Sequence, residues 1–351
     1  MTTTSMWVRI RTSILSTLFL CICTASIAQG DDTTLVFEPS SPAIGHIVLV
    51  SGDEEYRSEE SMPMLGKILS QRHGFKCTVI FSLSADGSYI DPNDAEGLRG
   101  LAALDDADLM IIGTRFRHPN KDEAEHITKF LNDGKPVIGI RTATHAFTGK
   151  GEFGGKIPFG QWGRQILGEQ WVSHHGRHKS QGARGVIVDA NADHPILNSV
   201  EDVFAPSDVY GVIHLTDDDK ILLRAAVTES LDPQSKNITG AKNDPMQPFA
   251  WLHTYESPSG NHGQAFATTS GASVDFLNED LRRMIVNAAF FLTGHDVPAK
   301  ANVEFVDPFH PTFFGFIKDP DFWKNADRQP SDYGLGKTPE LPDPPGSPEW
   351  P

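Results

Sequence analysis

Three imidazoles within five residues, His174, His175 and His178, form the densest gathering of histidine in the chain. Imidazole is the commonest type of metal ligand and a natural proton carrier near neutral pH. The run therefore suits a divalent metal such as zinc, a loop that faces substrate, or a solvated polar loop. Spacing does not choose among these. Gly176 makes a continuous helix doubtful, and no Glu follows His174 as a helical zinc motif would require.

A second run, Arg141-Thr142-Ala143-Thr144-His145, closes the apolar stretch that starts at Pro136. Branched apolar residues after a Gly-Lys-Pro turn read as a central parallel strand, and the carboxyl ends of such strands carry the chemistry in open α/β sheets. Arg141 occupies the place where a nucleophile-bearing elbow would put Cys or Ser, which argues against acyl transfer through this residue. Two further clusters follow other apolar runs. Asp53-Glu54-Glu55-Tyr56-Arg57 leads into a helix start, where acids complement the helix dipole and Arg57 suits bidentate recognition of a carboxylate or vicinal diol. In Arg115-Phe116-Arg117-His118, at most one of the two arginines is expected to face a pocket. A last group, Ser207-Asp208-Val209-Tyr210, places Asp208 and Tyr210 on one face of a short strand, where one of them could orient a histidine.

The elements that must position these groups alternate. His46–Asp53, Lys76–Leu83, Asp106–Thr114 and Pro136–Ala143 read as strands, and Ser58–His73 and Lys121–Asn132 as helices. The pattern predicts an α/β fold with a doubly wound parallel sheet and helices on both faces. Beyond Phe147 short strands are expected at 186–189, 209–214, 221–227, 249–255 and 264–268, then an amphipathic helix at 277–292. Residues 1–28 carry Arg9 and Arg11, an apolar run Ile14–Ile22 and a small-residue end at Ala28, the pattern of a signal peptide. Export to the periplasm or beyond is the expectation, with no membrane span after cleavage. Residues 29–45 read as a linker, 46–297 as the α/β domain and 298–351 as a Pro-rich tail whose aromatic cluster could strap across the surface. Cys21 and Cys23 fall within the leader, which leaves Cys77 without a disulfide partner. The net charge of −16 argues against nucleic acid and anionic membranes as partners and favours neutral or cationic small molecules.

Several segments together resemble one family: SGDEEYRSEE (51–60), GTRFRHP (113–119), GKPVIGIRTATHAF (134–147), WVSHHGRH (171–178), SDVY (207–210) and FATTSGASVDF (266–276). The chain is similar to ThuA-like (trehalose utilisation) proteins, especially a secreted subfamily of planctomycete-type bacteria, over about residues 46–298. The resemblance implies a class I glutamine amidotransferase-like, flavodoxin-like fold. The superfold's Gly-x-Cys-x-Gly-x-Gln elbow becomes here Gly139-Ile140-Arg141-Thr142-Ala143-Thr144-His145, which rejects amidotransferase activity. Gly271-Ala272 stands where relatives often carry Gly-His.

The resemblance also implies work on disaccharides or keto-glycosides, alongside sugar oxidoreductases. Two functions follow as expectations. In the first, a carbohydrate hydrolase or lyase uses His145 and one of His174, His175 or His178 as acid and base. Asp208 orients an imidazole, while Glu55, Arg57, Arg115, Arg141, Thr142 and Tyr210 bind substrate. In the second, the same residues form a non-catalytic sugar-binding cleft that serves a periplasmic oxidoreductase.

Overall fold

The computed structural model describes residues 1–2 and 33–349, so nearly all of the expected leader, 1–28, lies outside the described residues. Five strands form the parallel part of the sheet: β2 (His46–Gly52), β3 (Lys76–Ile80), β4 (Leu109–Thr114), β5 (Val137–Ile140) and β12 (His262–Thr268). Their spatial order is β3-β2-β4-β5-β12, every neighbouring pair parallel. This is the flavodoxin-like winding, which leaves a crevice at the carboxyl ends where the order reverses between β2 and β4.

An antiparallel flank extends one side through β11 (Gln247–Glu256), β10 (Lys220–Val227), β8 (Ala183–Ile187) and β9 (Phe204–Ala205). At the other edge β1 (Thr34–Phe37) pairs antiparallel with β3. This corrects the expectation of a linker over 29–45. Thr-Leu-Val-Phe is a run of strand formers, and burial of Phe37 beneath the first helix repays the ordering of so short a segment. A hairpin of β6 (Glu152–Phe153) and β7 (Ile157–Pro158) stands apart from the sheet.

Alternation along β2 sends Ile47 and Leu49 to one face and Val48 and Val50 to the other. On the first face lie α1 (Ser58–His73) and α4 (Glu279–Leu292), and on the second α2 (Lys121–Asn132) and the short α3 (Trp162–Ile166). Local chemistry sets the helix ends. Asn120 and Asn278 accept backbone N–H groups at the starts of α2 and α4, and Gly74 closes α1 at φ 81°. The fold expected from the alternating pattern is the fold observed.

Two local expectations fail. Strand β5 stops at Ile140 because Arg141 adopts φ 48°, and the chain turns into a 3₁₀ helix over Arg141–His145. Residues 209–214 form no ladder strand. A single bridge joins Tyr210 to His174, since both lie on loops held by side chains.

The Pro-rich tail is more firmly integrated than its composition suggests. Phe313 and Phe314 are fully buried with Tyr56, Leu231, Ala272 and Val274, and Trp323 of α5 (Phe322–Ala326) is buried as well. Thr312 donates to the Glu60 carboxylate through its backbone N–H (3.0 Å) and its hydroxyl (2.8 Å), and Asp307 pairs with Lys67 at 2.6 Å, fastening the tail to α1. Proline prevents ladder pairing, yet it does not prevent aromatic side chains from filling gaps beside a helix. Phe313→Ala should therefore cost about 3 kcal/mol in urea denaturation. Unchanged stability would reduce the tail to a passive strap.

Candidate functional site

Loops after β2, β4 and β5 meet residues 171–178 and 207–210 at the carboxyl edge of the sheet, and Arg141 lies at the centre of the meeting. Its guanidinium is 1% exposed. It donates to the Asp208 carboxylate (Nη2 to Oδ1, 2.7 Å), to the carbonyls of Asp208 and Thr269 (2.7 Å for the latter) and to the Tyr56 hydroxyl (3.2 Å). The Tyr210 and Tyr56 rings cover its two sides, with centroids 4.0 and 4.5 Å from the guanidinium carbon. Arg141 thus holds the site together from beneath, and the expected role in contacting substrate does not fit its enclosure.

Asp208 is fully buried and is shared. Besides Arg141, its oxygens meet His174 Nδ1 at 2.8 and 3.0 Å and lie 3.6 Å from His178 Nδ1. Burial opposes its charge. The hydrogen bonds of His174 and His178 and the Arg141 charge outweigh that and hold the carboxyl well below the usual carboxylate range. The loop that presents it is tied down by Asp275, which accepts the Ser207 N–H and hydroxyl together with the N–H groups of Gly271 and Ala272.

The histidine run splits by orientation. His174 and His178 approach each other with ring centroids 4.3 Å apart, both partly exposed, while His175 turns away and bonds the Lys242 carbonyl at 2.6 Å. Residues i and i+1 of an extended bridge point to opposite sides, which removes His175 from the group. His178 also lies 3.4 Å from Glu55. Burial lowers its basicity, but the carboxylates of Asp208 and Glu55 dominate and raise its pKa above the ordinary value.

His145 enters from the other side, among Phe116, Trp171 and Tyr210, with ring centroids 5.0, 5.4 and 6.0 Å away. Burial, with Arg115, Arg141 and His174 nearby, lowers its pKa to about 3. It is a neutral imidazole at physiological pH, which disfavours the acid half of the acid and base roles expected of it and its histidine partner.

The remaining expected ligands sort as follows. Thr142 is fully buried and donates to Asp53 at 2.5 Å, so it braces the loop after β2 rather than facing a ligand. Arg57 is likewise buried, at φ 64°, with its guanidinium on Glu59 (2.7 Å) and Glu60 (3.2 Å) beneath Trp323, so it cannot grasp a diol. Tyr210 is 2% exposed and serves as a floor. Arg115 keeps part of its side chain open at the rim, paired with Glu54 and, at 3.5 Å, Glu55. Arg117 is sealed against the carbonyls of Pro92 and Asp94. Sequence reasoning missed Tyr56 and Phe314, which stack at 5.3 Å, with Phe314 also 5.2 Å from His178. Tyr56 lies within SGDEEYRSEE (51–60), whereas nothing local connects Phe314 with residues so distant in sequence.

Among the described residues, His174, His178 and Asp208 could hold a metal ion, with ligand atoms all within 4.8 Å of one another. The distances from Asp208 Oδ1 to His174 Nδ1 and His178 Nδ1, 3.0 and 3.6 Å, bracket the edge of about 3.3 Å between neighbouring ligands of a tetrahedral zinc. Two imidazoles and a carboxylate are also the donor set of an open zinc site. His175, expected as a third candidate, is not in this group.

The low pKa of His145 has a measurable consequence. In the unfolded chain its imidazole titrates near 6.5 and in the folded one near about 3, so between these values the unfolded state binds more protons. Its contribution to stability is complete above 6.5 and declines as pH falls, by up to about 1.4 kcal/mol per pH unit. His145→Phe should lose less stability than the parent between pH 7 and pH 4 in urea titrations. Parallel losses would place His145 in water.

The family model for trehalose utilisation, ThuA, matches residues 47–292. Among solved structures, one described as a ThuA-like protein from Parabacteroides merdae aligns with 80% of this chain and 99% of its own, at 12% identity and TM-score 0.46. A cytoplasmic protein from Salmonella typhimurium aligns with 70% of this chain and 98% of its own, at 11% identity and TM-score 0.40. No curated protein matches the sequence. With the family model spanning the parallel sheet, the loops of the site and α4, the chain belongs to the ThuA family.

Proposed function

We propose that this protein processes a carbohydrate, a disaccharide or keto-glycoside, by general acid/base chemistry without a covalent nucleophile. The observation that carries the reading is the Asp208 carboxylate, ionised and buried, bonded to one imidazole and adjacent to a second. His174 directs Nδ1 to Asp208, which leaves Nε2 as the acceptor of a base. His178, with its raised pKa, keeps a proton to donate. On a 3-keto-glycoside the base removes the proton at C2, made acidic by the neighbouring carbonyl. The electron pair forms the C1–C2 double bond, the C1–O bond breaks, and the leaving oxygen takes the proton of the acid. Hydrolysis would use the same pair to activate water and to protonate the leaving group. The family's association with trehalose utilisation supports the substrate class. The leader-like residues 1–28 support an exported enzyme.

A second reading is favoured by the compact donor set of His174, His178 and Asp208: a divalent cation such as zinc would sit among them and supply a Lewis acid to substrate oxygens. Arg141 would then neutralise and hold the carboxylate ligand.

His178→Ala should lower turnover of a 3-keto-glycoside by on the order of 10²–10⁴. His175→Ala should leave turnover intact, because its ring bonds the Lys242 carbonyl. With His178 as acid, the rate should fall on the alkaline side as pH rises through its pKa, which the Asp208 and Glu55 carboxylates hold above the ordinary imidazole value. Binding without turnover would reduce the protein to an accessory module. Stoichiometric zinc with activity lost on chelation would select the second reading.

A further inference from the structure

The chain beyond the family match reaches the site through one short segment. Gly315 N–H donates to the Glu55 carbonyl at 2.7 Å, which fixes residues 312–317 alongside the loop after β2. Phe314 turns inward against Tyr56 and His178. Phe316, two residues on, turns outward and is 45% exposed. Its ring lies 5.0 Å from the Arg115 guanidinium carbon, whose other ring neighbour, Phe116, is at 4.7 Å. Phe116 in turn packs on His145, and Arg115 meets Glu55, the partner of His178. The exposed ring is therefore linked through Arg115 to both sides of the site, by way of Phe116 to His145 and by way of Glu55 to His178.

A single exposed phenylalanine is ordinary on a protein surface. This one differs in its support. A backbone hydrogen bond and a buried neighbour hold it in place, and it continues an aromatic and guanidinium surface that leads through Glu55 to the partly exposed His178. Small-ligand sites combine such apolar platforms with a few polar groups. A pyranose offers a matching pair of surfaces, C–H groups on its ring face and hydroxyls at its edge.

We propose that residues 312–317 form one wall of the substrate site and that Phe316 stacks on a sugar ring adjoining the reacting bond. Part of the specificity then resides in the chain outside the family-matched domain. The proposal rests on the carbohydrate reading above.

The test is isothermal titration of the full chain with trehalose and with its 3-keto derivative, together with KM and kcat on whichever probe is turned over. Phe316→Ala should weaken binding or raise KM by about tenfold with kcat little changed, and Phe316→Trp should restore affinity. Phe316→Leu keeps apolar cover on Arg115 without a ring. It should bind as weakly as the alanine variant, which separates stacking from any loss of folding. If the parent binds a probe and Phe316→Ala binds it equally well, the wall is wrong while the carbohydrate reading stands. If the parent binds neither probe, the carbohydrate reading fails and the wall with it.

Discussion

A guanidinium and a carboxylate buried together need partners in place of water, and the surroundings of Arg141 supply them to both terminal nitrogens while His174 meets the Asp208 carboxylate. Arg141 leaves β5 with a left-handed backbone, an arrangement that an L-residue adopts only when its neighbours impose it. The gain lies in what that turn delivers: a fork of donors that reaches the Thr269 carbonyl at the end of β12 and both the carbonyl and the carboxylate of Asp208. Two tyrosine rings close over it, and Asp275 fixes the loops at either side. A buried pair of this kind contributes little net stability, but removal of one partner leaves an uncompensated charge. Its value here is positional, since the same carboxylate orients His174 and lies beside His178.

From that anchor the site divides into two electrostatic halves. On the Asp208 and Glu55 side carboxylates raise the proton affinity of His178. On the Arg115 and Trp171 side burial and positive neighbours keep His145 neutral. Environments that push like groups apart are how a single protein holds an acid and a neutral partner at one pH. The sheet supplies the framework, because its parallel strands gather their following loops at one edge. The tail supplies a cover that the sheet lacks, through Phe314 on Tyr56 and His178.

The fold was legible because its signals are local. Ser58–His73 and Lys121–Asn132 carry their periodicity and their end signals within the segment, and their observed bounds agree with those read from sequence. The strand ends that carry polar groups were legible for the same reason, as were His174, His178 and Asp208 as residue types. Orientation was not. That His175 turns to Lys242 while its neighbour meets Asp208 depends on a bridge to Tyr210 formed by loops distant in sequence. Arg57, Arg141 and Thr142 looked like ligand groups because exposed polar residues at strand ends usually are. Here Glu59, Asp208 and Asp53 take up their donors from inside. The tail was misjudged for a related reason: proline excludes regular structure, and burial of Phe313, Phe314 and Trp323 requires none.

The most direct test of this account is a double-mutant cycle on the anchor, Arg141→Gln, Asp208→Asn and the pair, each measured by urea denaturation. If the guanidinium exists to neutralise the carboxylate, Arg141→Gln alone should cost about 3–5 kcal/mol, since it leaves Asp208 buried without its counter-charge. The double variant should recover a substantial part of that loss, with a coupling energy well above 1 kcal/mol. Two single effects that add to within about 0.5 kcal/mol would mean that the two charges do not depend on each other, and the account built on them would be wrong.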